Sequence, residues 1–344
     1  MRFKKAVLIS VMCAVALLGS VGLASAAKTL NVALYQSPTH ELSVWIKELS
    51  PILAQMSNNE LKAKVSDAGT IAKGPEMVDA IQRGMADVGF VFPGFNSSTM
   101  PVLEVVGNVP FLFRNDYEWW KAWPKIIPVL QKALEAKGYD NVLICAVPYY
   151  GGWYKVATKG KVVKVPGDLK GIKIKAVGRG LREYVQKIGG SAVSVSTAEV
   201  YEAASRGLLQ GSIGVHTHWT GWKQMEVFDH LLDLPIAPTT MLFYINKSTL
   251  KKLGPKLAPL FVAYCDLTAA MISMDSKVSE AKNEIIASAR MKFYKPTEAE
   301  KELWYAPAQT VINEWVKRSA PYGKQIVEIV EKARKSPKKN FINY

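Results

Sequence analysis

Apolar positions spaced three and four apart (Leu42, Trp45, Ile46, Leu49, Ile52, Leu53) predict an amphipathic helix over 41–56. Ahead of it, 29–35 (TLNVALY) has the composition of a strand, and 61–66 alternates apolar and polar residues with a period of two. A short helix over 75–84 closes at Gly84, and 86–92 (ADVGFVF) is apolar throughout, as a buried parallel strand is. The order strand, helix, strand, helix, strand predicts an α/β lobe.

Residues 116–138 form a helical region bent or restarted at Pro124 and Pro128. An apolar, extended stretch over 141–158 is broken at Tyr149-Tyr150-Gly151-Gly152-Trp153, where a strand is expected to cross between lobes. The alternation then repeats: strand 171–177, helix 181–188, strand 192–196, helix 199–208, strand 211–218 and strand 240–245. Helical patterning covers 255–291 and most of 297–335. The most apolar stretch, 257–274, contains Pro259 and Asp266 and runs on into a polar helical pattern, so a buried helix is expected rather than a membrane span.

The start of the chain sets the compartment. Arg2, Lys4 and Lys5 precede an apolar run from Ala6 to Leu23, followed by Ala24-Ser25-Ala26. That is the layout of a cleaved secretory signal peptide, which places the mature protein in the periplasm. Cys13 lies within the apolar run, so Cys145 and Cys265 remain, both in apolar surroundings and expected as free thiols. The formal charge of +15 falls to +12 without the three leader bases. Its lysines are scattered except in the tail, and an exported chain has little access to nucleic acid. The charge therefore points to solubility and a bias toward anionic ligands.

The run Asp168-Leu169-Lys170-Gly171-Ile172-Lys173-Ile174-Lys175 resembles the D-L-K-G-[LM]-K-[IL]-R signature of the solute-binding subunits of tripartite ATP-independent periplasmic (TRAP) transporters. Further matches follow in family order. They are Ala80 to Gly89, Pro110-Phe111-Leu112-Phe113, Gly189 to Val193, Glu199-Val200-Tyr201 with Ala203, and Gly207 to Gly211. The resemblance implies a two-lobe α/β periplasmic binding protein, its lobes joined by strands and a long bent helix. It implies residues 1–26 as signal peptide. One lobe comprises 27–150 plus about 240–275, and the other 151–239 plus about 276–344 with the C-terminal helices. The implied protein is a monomer without a cofactor and is not an enzyme. It captures a small organic anion between closing lobes and passes it to the small and large membrane subunits of the permease. A sensor subunit of the same fold is the alternative, and a metal-dependent hydrolase a remote one.

The family's arginine, which grips the substrate carboxylate, is Lys175 here, an ammonium without the planar guanidinium fork. Lys155, at a position similar to the family's second basic site, and Arg179 are further anion candidates. His40, at the start of a helix, either donates to the anion or caps the helix. In the stretch Gly211 to Trp219 (GSIGVHTHW), a strand reading puts His216 and His218 on one face. His216 and Trp219 are then expected to line the cleft, with Tyr150, Trp153, Phe95 and Phe243 as aromatic walls and His218 as a weaker candidate. Two of these histidines would also make half of a metal site, but no HExxH pattern accompanies them.

Overall fold

The computed structural model describes residues 27–336, so the expected signal peptide and the last tail lysines, Lys338 and Lys339, lie outside the described residues. Thirteen strands occur among them. They are β1 (Lys28–Ala33), β2 (Leu61–Ser66), β3 (Val88–Val91), β4 (Val142–Ala146), β5 (Tyr149–Trp153), β6 (Lys155–Thr158) and β7 (Lys173–Lys175), followed by β8 (Ser191–Val193), β9 (Gly211–Gly214), β10 (His230–Leu232), β11 (Pro238–Thr240), β12 (Leu242–Asn246) and β13 (Lys292–Tyr294). The α-helices among the described residues are α1 (Glu41–Met56), α2 (Met77–Gln82), α3 (Asp116–Glu135), α4 (Arg179–Lys187), α5 (Val200–Ser205), α6 (His216–Gly221), α7 (Lys247–Ser288), α8 (Glu298–Arg318) and α9 (Tyr322–Lys335).

One lobe is built on the sheet β2-β1-β3-β12-β4 and the other on β13-β10-β6-β9-β7-β8. In the first, β1 runs parallel to β2 and β3, and β12 returns antiparallel between β3 and β4. All four residues of β3 are buried, as its unbroken apolar run predicts. Helix α1 covers one face of this sheet with Leu42, Ile46, Leu49 and Leu53 buried. Trp45 and Ile52, the edges of the same stripe, pack only partly against that core.

Among the described residues, three connections join the lobes ahead of the C-terminal helices. Strand β5 leaves the first sheet after β4 and leads into β6 of the second, and β11 returns antiparallel to it ahead of β12. The third is α7. It bends at Gly254, whose φ of 72° lies outside the helical region, beside Pro255. Its first part seats Leu253, Leu257, Phe261 and Ile272 in the first lobe's core, and Ala287 near its end packs in the second lobe. Side chains of α7 hold β5 in place: the Tyr149 hydroxyl donates to Glu280 at 2.7 Å and Lys277 bridges Asp116 and Glu280. The backbone of β5 needs its glycines, since Gly152 has a φ of 93° and a Cβ there would lie 2.7 Å from a Glu280 oxygen.

The C-terminal helices, expected with the second lobe, are shared. Trp304, Ala308 and Val311 of α8 enter the second lobe's core. Ile312 and Trp315 of the same helix enter the first, as do Ile326, Val330 and Ala333 of α9, which packs along α3. A 21-residue helix is long enough to run across both lobes, which is why one chain segment serves two cores. Cys145 and Cys265 are free thiols, the first half-buried and the second buried.

Candidate functional site

A cavity of about 720 Å³ lies between the lobes, within the range of small-ligand pockets. It is formed where strands end. Tyr35 follows β1, Phe92 follows β3, Lys175 ends β7, Ser194 follows β8, and Val215 follows β9. Carboxyl ends of parallel strands are where open α/β sheets bind ligands, because the loops leaving them carry free backbone and side-chain polar groups.

The second lobe contributes positive charge. Lys175 is 1 % exposed, and its Nζ reaches only the Ile213 carbonyl, at 3.4 Å. Among the described residues no carboxylate pairs with it. Burial lowers its pKa to about 8. Arg179 and Arg182, in the first turn of α4, also face the cavity. Arg179 is exposed and tied to Glu183 at 2.6 Å. His218 completes this wall. Burial first, and then the charge of Lys175, push its pKa well below the usual imidazole value, so it is neutral.

The first lobe contributes aromatic surface and a carboxylate. Tyr35 meets Phe95 edge-on with centroids 5.2 Å apart, and Phe95 meets Phe92 in the same way at 6.1 Å. The Nδ1 of His40 accepts from the Leu42 N–H at 3.2 Å and caps α1, and its Nε2 lies 3.3 Å from the Tyr150 hydroxyl. His40 thus caps the helix, as one of its two readings expected, and it also lines the cavity. Burial lowers its pKa, so it too is a neutral donor.

Of the eleven residues singled out in the sequence, Lys175, Arg179, His40, Tyr150, Phe95 and the weaker candidate His218 line the cavity, and five do not. The largest correction concerns GSIGVHTHW. Strand β9 stops at Gly214, and α6 begins at His216, with the Val215 N–H capped by His218 Nδ1 at 3.4 Å. Two residues apart on a helix are about 200° apart around its axis, so the two histidines point in opposite directions. His218 faces the cavity. His216 is buried against Phe293 and lies 3.2 Å from the Lys155 ammonium. Burial, reinforced by that ammonium, lowers its pKa to about 4. They do not form one half of a metal site.

Lys155 turns away from the cavity because Asp233 holds it at 2.6 Å. Trp219 is fully buried in the second lobe, packed over Gly214, where a Cβ would lie 2.5 Å from its ring. Trp153 is buried in the first core and donates from Nε1 to Asp116 at 2.6 Å. Phe243 is fully buried against Phe90. Glu41 and Tyr154 line the cavity and were not among the expected site residues. Tyr154 had a usable signal. Counting by two through 149–155 puts Tyr150 and Tyr154 on one side, and Tyr149, Trp153 and Lys155 on the other.

Against this geometry, a family model described as "Bacterial extracellular solute-binding protein, family 7" matches residues 33–319. The chain is 26% identical over 245 residues to the 2,3-diketo-L-gulonate-binding periplasmic protein YiaO of Escherichia coli K12, covering 69% of this chain and 72% of that protein. A TRAP periplasmic solute-binding protein of Ochrobactrum anthropi, with a C-terminus bound in the ligand-binding pocket, superposes with a TM-score of 0.79 at 18% identity, covering 90% of this chain and 96% of that one. The Bordetella pertussis solute receptor DctP6, which binds pyroglutamic acid, superposes at 0.77 with 16% identity, covering 89% of this chain and all of the other.

Proposed function

The chain belongs to the bacterial extracellular solute-binding proteins of family 7, and from that premise we propose that it captures one small organic anion in the cavity between its lobes and hands it to the small and large membrane subunits of a TRAP-type permease. The observation that carries this reading is Lys175: an ammonium 1 % exposed, without a carboxylate partner among the described residues, on the wall of an interlobe cavity. A buried charge of that kind is unfavourable until a counter-charge arrives. A ligand carboxylate or sulfonate supplies it, and Arg179 and Arg182 are placed to add to the attraction. The relative from E. coli is named for binding a sugar acid, which is consistent with this chemistry.

Closure follows from the same geometry. The cations belong to the second lobe and the aromatic wall to the first, so a ligand touching both favours the closed form over the open one. The glycine-containing crossing strand β5 and the bent α7 are the connections that must flex. A panel of organic acids titrated into the mature protein is expected to raise its Tm, by an amount set by RT ln(1 + [L]/Kd) for the acid that fits. No shift with any carboxylate or sulfonate of a broad panel overturns the proposal.

A further inference from the structure

Glu41 is the cavity feature that anion capture leaves unexplained. It is the first residue of α1, half-buried, and lines the cavity from the first lobe, whereas Lys175 lines it from the second. No ammonium or guanidinium among the described residues pairs with it. Burial pushes its pKa up, the nearby Tyr150 hydroxyl acts in the opposite sense as a donor, and Asp275 adds a second negative charge nearby. A neighbouring acid is an unusual fitting for a site that takes a plain anion.

The hydrogen bonds around it have a fixed direction. His40 Nδ1 already accepts from Leu42, so the proton of the neutral ring sits on Nε2 and points at the Tyr150 oxygen. The Tyr150 hydrogen is then free to go to Glu41. The rings of His40 and Tyr150 stack at 6.3 Å, and Trp45 meets Tyr150 edge-on at 6.2 Å, which holds the chain of groups in place. One of roughly four acceptor sites on the carboxylate is thereby used, and the others remain for a donor in the cavity.

We propose that the ligand is two-ended: a carboxylate that meets Lys175 of the second lobe, and a hydrogen-bond donor, N–H or O–H, that meets Glu41 of the first. This rests on the anion-capture reading above and narrows it to hydroxy or amino monocarboxylic acids. Each lobe then holds one end, and only the whole ligand links them. An acid without the donor leaves the remaining acceptor sites of a desolvated carboxylate unfilled, a penalty by which polar sites reject analogues that lack a group. A dicarboxylate sets its second charge against Glu41 and is excluded by repulsion.

The test is calorimetric titration of the mature protein with two series on fixed frames. One is butyrate, 4-hydroxybutyrate, 4-aminobutyrate and succinate. The other is benzoate, 4-hydroxybenzoate, 4-(aminomethyl)benzoate and terephthalate. In the frame that fits, a donor-bearing acid is expected to bind about tenfold or more tighter than its parent, with the dicarboxylate weakest. Glu41→Gln is expected to reverse the order of the charged pair, with the dicarboxylate gaining and the amino acid losing about tenfold each. Parent acids or dicarboxylates binding wild type as tightly as the donor-bearing acids overturn this inference and leave anion capture standing. An unchanged order in Glu41→Gln does the same. Binding by no acid in either series overturns this inference, while the broader acid panel separately decides anion capture.

Discussion

Lys175→Ala weakens binding of the captured acid by roughly 10- to 150-fold, the equivalent of the ~1.5–3 kcal/mol that hydrogen bonds to charged groups contribute. The size of the effect comes from burial. An exposed lysine would lose little, because water screens it. Lys175 is enclosed and among the described residues has the Ile213 carbonyl as its one weak acceptor, so under the proposed function the ligand's carboxylate becomes its counter-ion. The pH dependence carries the same signature. The folded, empty protein holds Lys175 at about 8, against ~10.4 for an unfolded lysine. Below pH 8 the buried charge therefore destabilises the empty protein, by about 3 kcal/mol at about 1.4 kcal/mol per unit. As pH rises from about 8 toward 10, that cost fades and the empty protein gains stability from this group. Over the same interval acid binding declines, by up to tenfold per unit, because the neutral amine attracts no anion. Calorimetry and thermal melts from pH 7 to 10 read both trends. Acid binding that is flat across this range, or undiminished in Lys175→Ala, moves the anion site elsewhere.

Trp219→Ala is expected to lower stability by about 3–5 kcal/mol while leaving acid affinity within a few-fold of wild type. The indole is fully buried among Phe228, Leu231, Val200 and Ala287, and the alanine leaves a void there. The strand reading of GSIGVHTHW put this residue in the cleft, and the two placements differ in what they predict. A core tryptophan shows its loss as a fall in Tm of roughly 6–15 °C. A cleft tryptophan shows it in the dissociation constant. Unaltered stability with strongly weakened binding would restore the cleft placement.

The strand and helix rhythm was legible because each element has one buried face, and burial imposes a period on the sequence. Helix α1 and the buried β3 followed from that alone, and the crossing at 149–153 from the glycine-containing break in an apolar stretch. The turn from β9 into α6 was hidden because six residues are too few for a helical period to register. What exposed it in the structure is local: Gly214 beneath the Trp219 ring, and His218 reaching back to the Val215 N–H. Aromatic residues at strand ends gave a mixed result for a related reason. Phe95 and Tyr150 reach the cavity, but Trp153 and Phe243 fill cores, and the sequence does not say which side of a crossing strand meets the other lobe. Lys155 was a further anion candidate in the sequence, but the fold brings Asp233 and His216, 78 and 61 positions away, beside it. Lys175, found through the family signature, lies on the cavity wall, and among the described residues no carboxylate pairs with it.

The most direct test is a crystal structure of the mature protein with the acid that raises its Tm most. The account predicts electron density for that acid between the lobes, with a carboxylate or sulfonate oxygen within hydrogen-bonding distance of Lys175 Nζ. An acid bound with its anionic group away from Lys175, or outside the cavity, would contradict it.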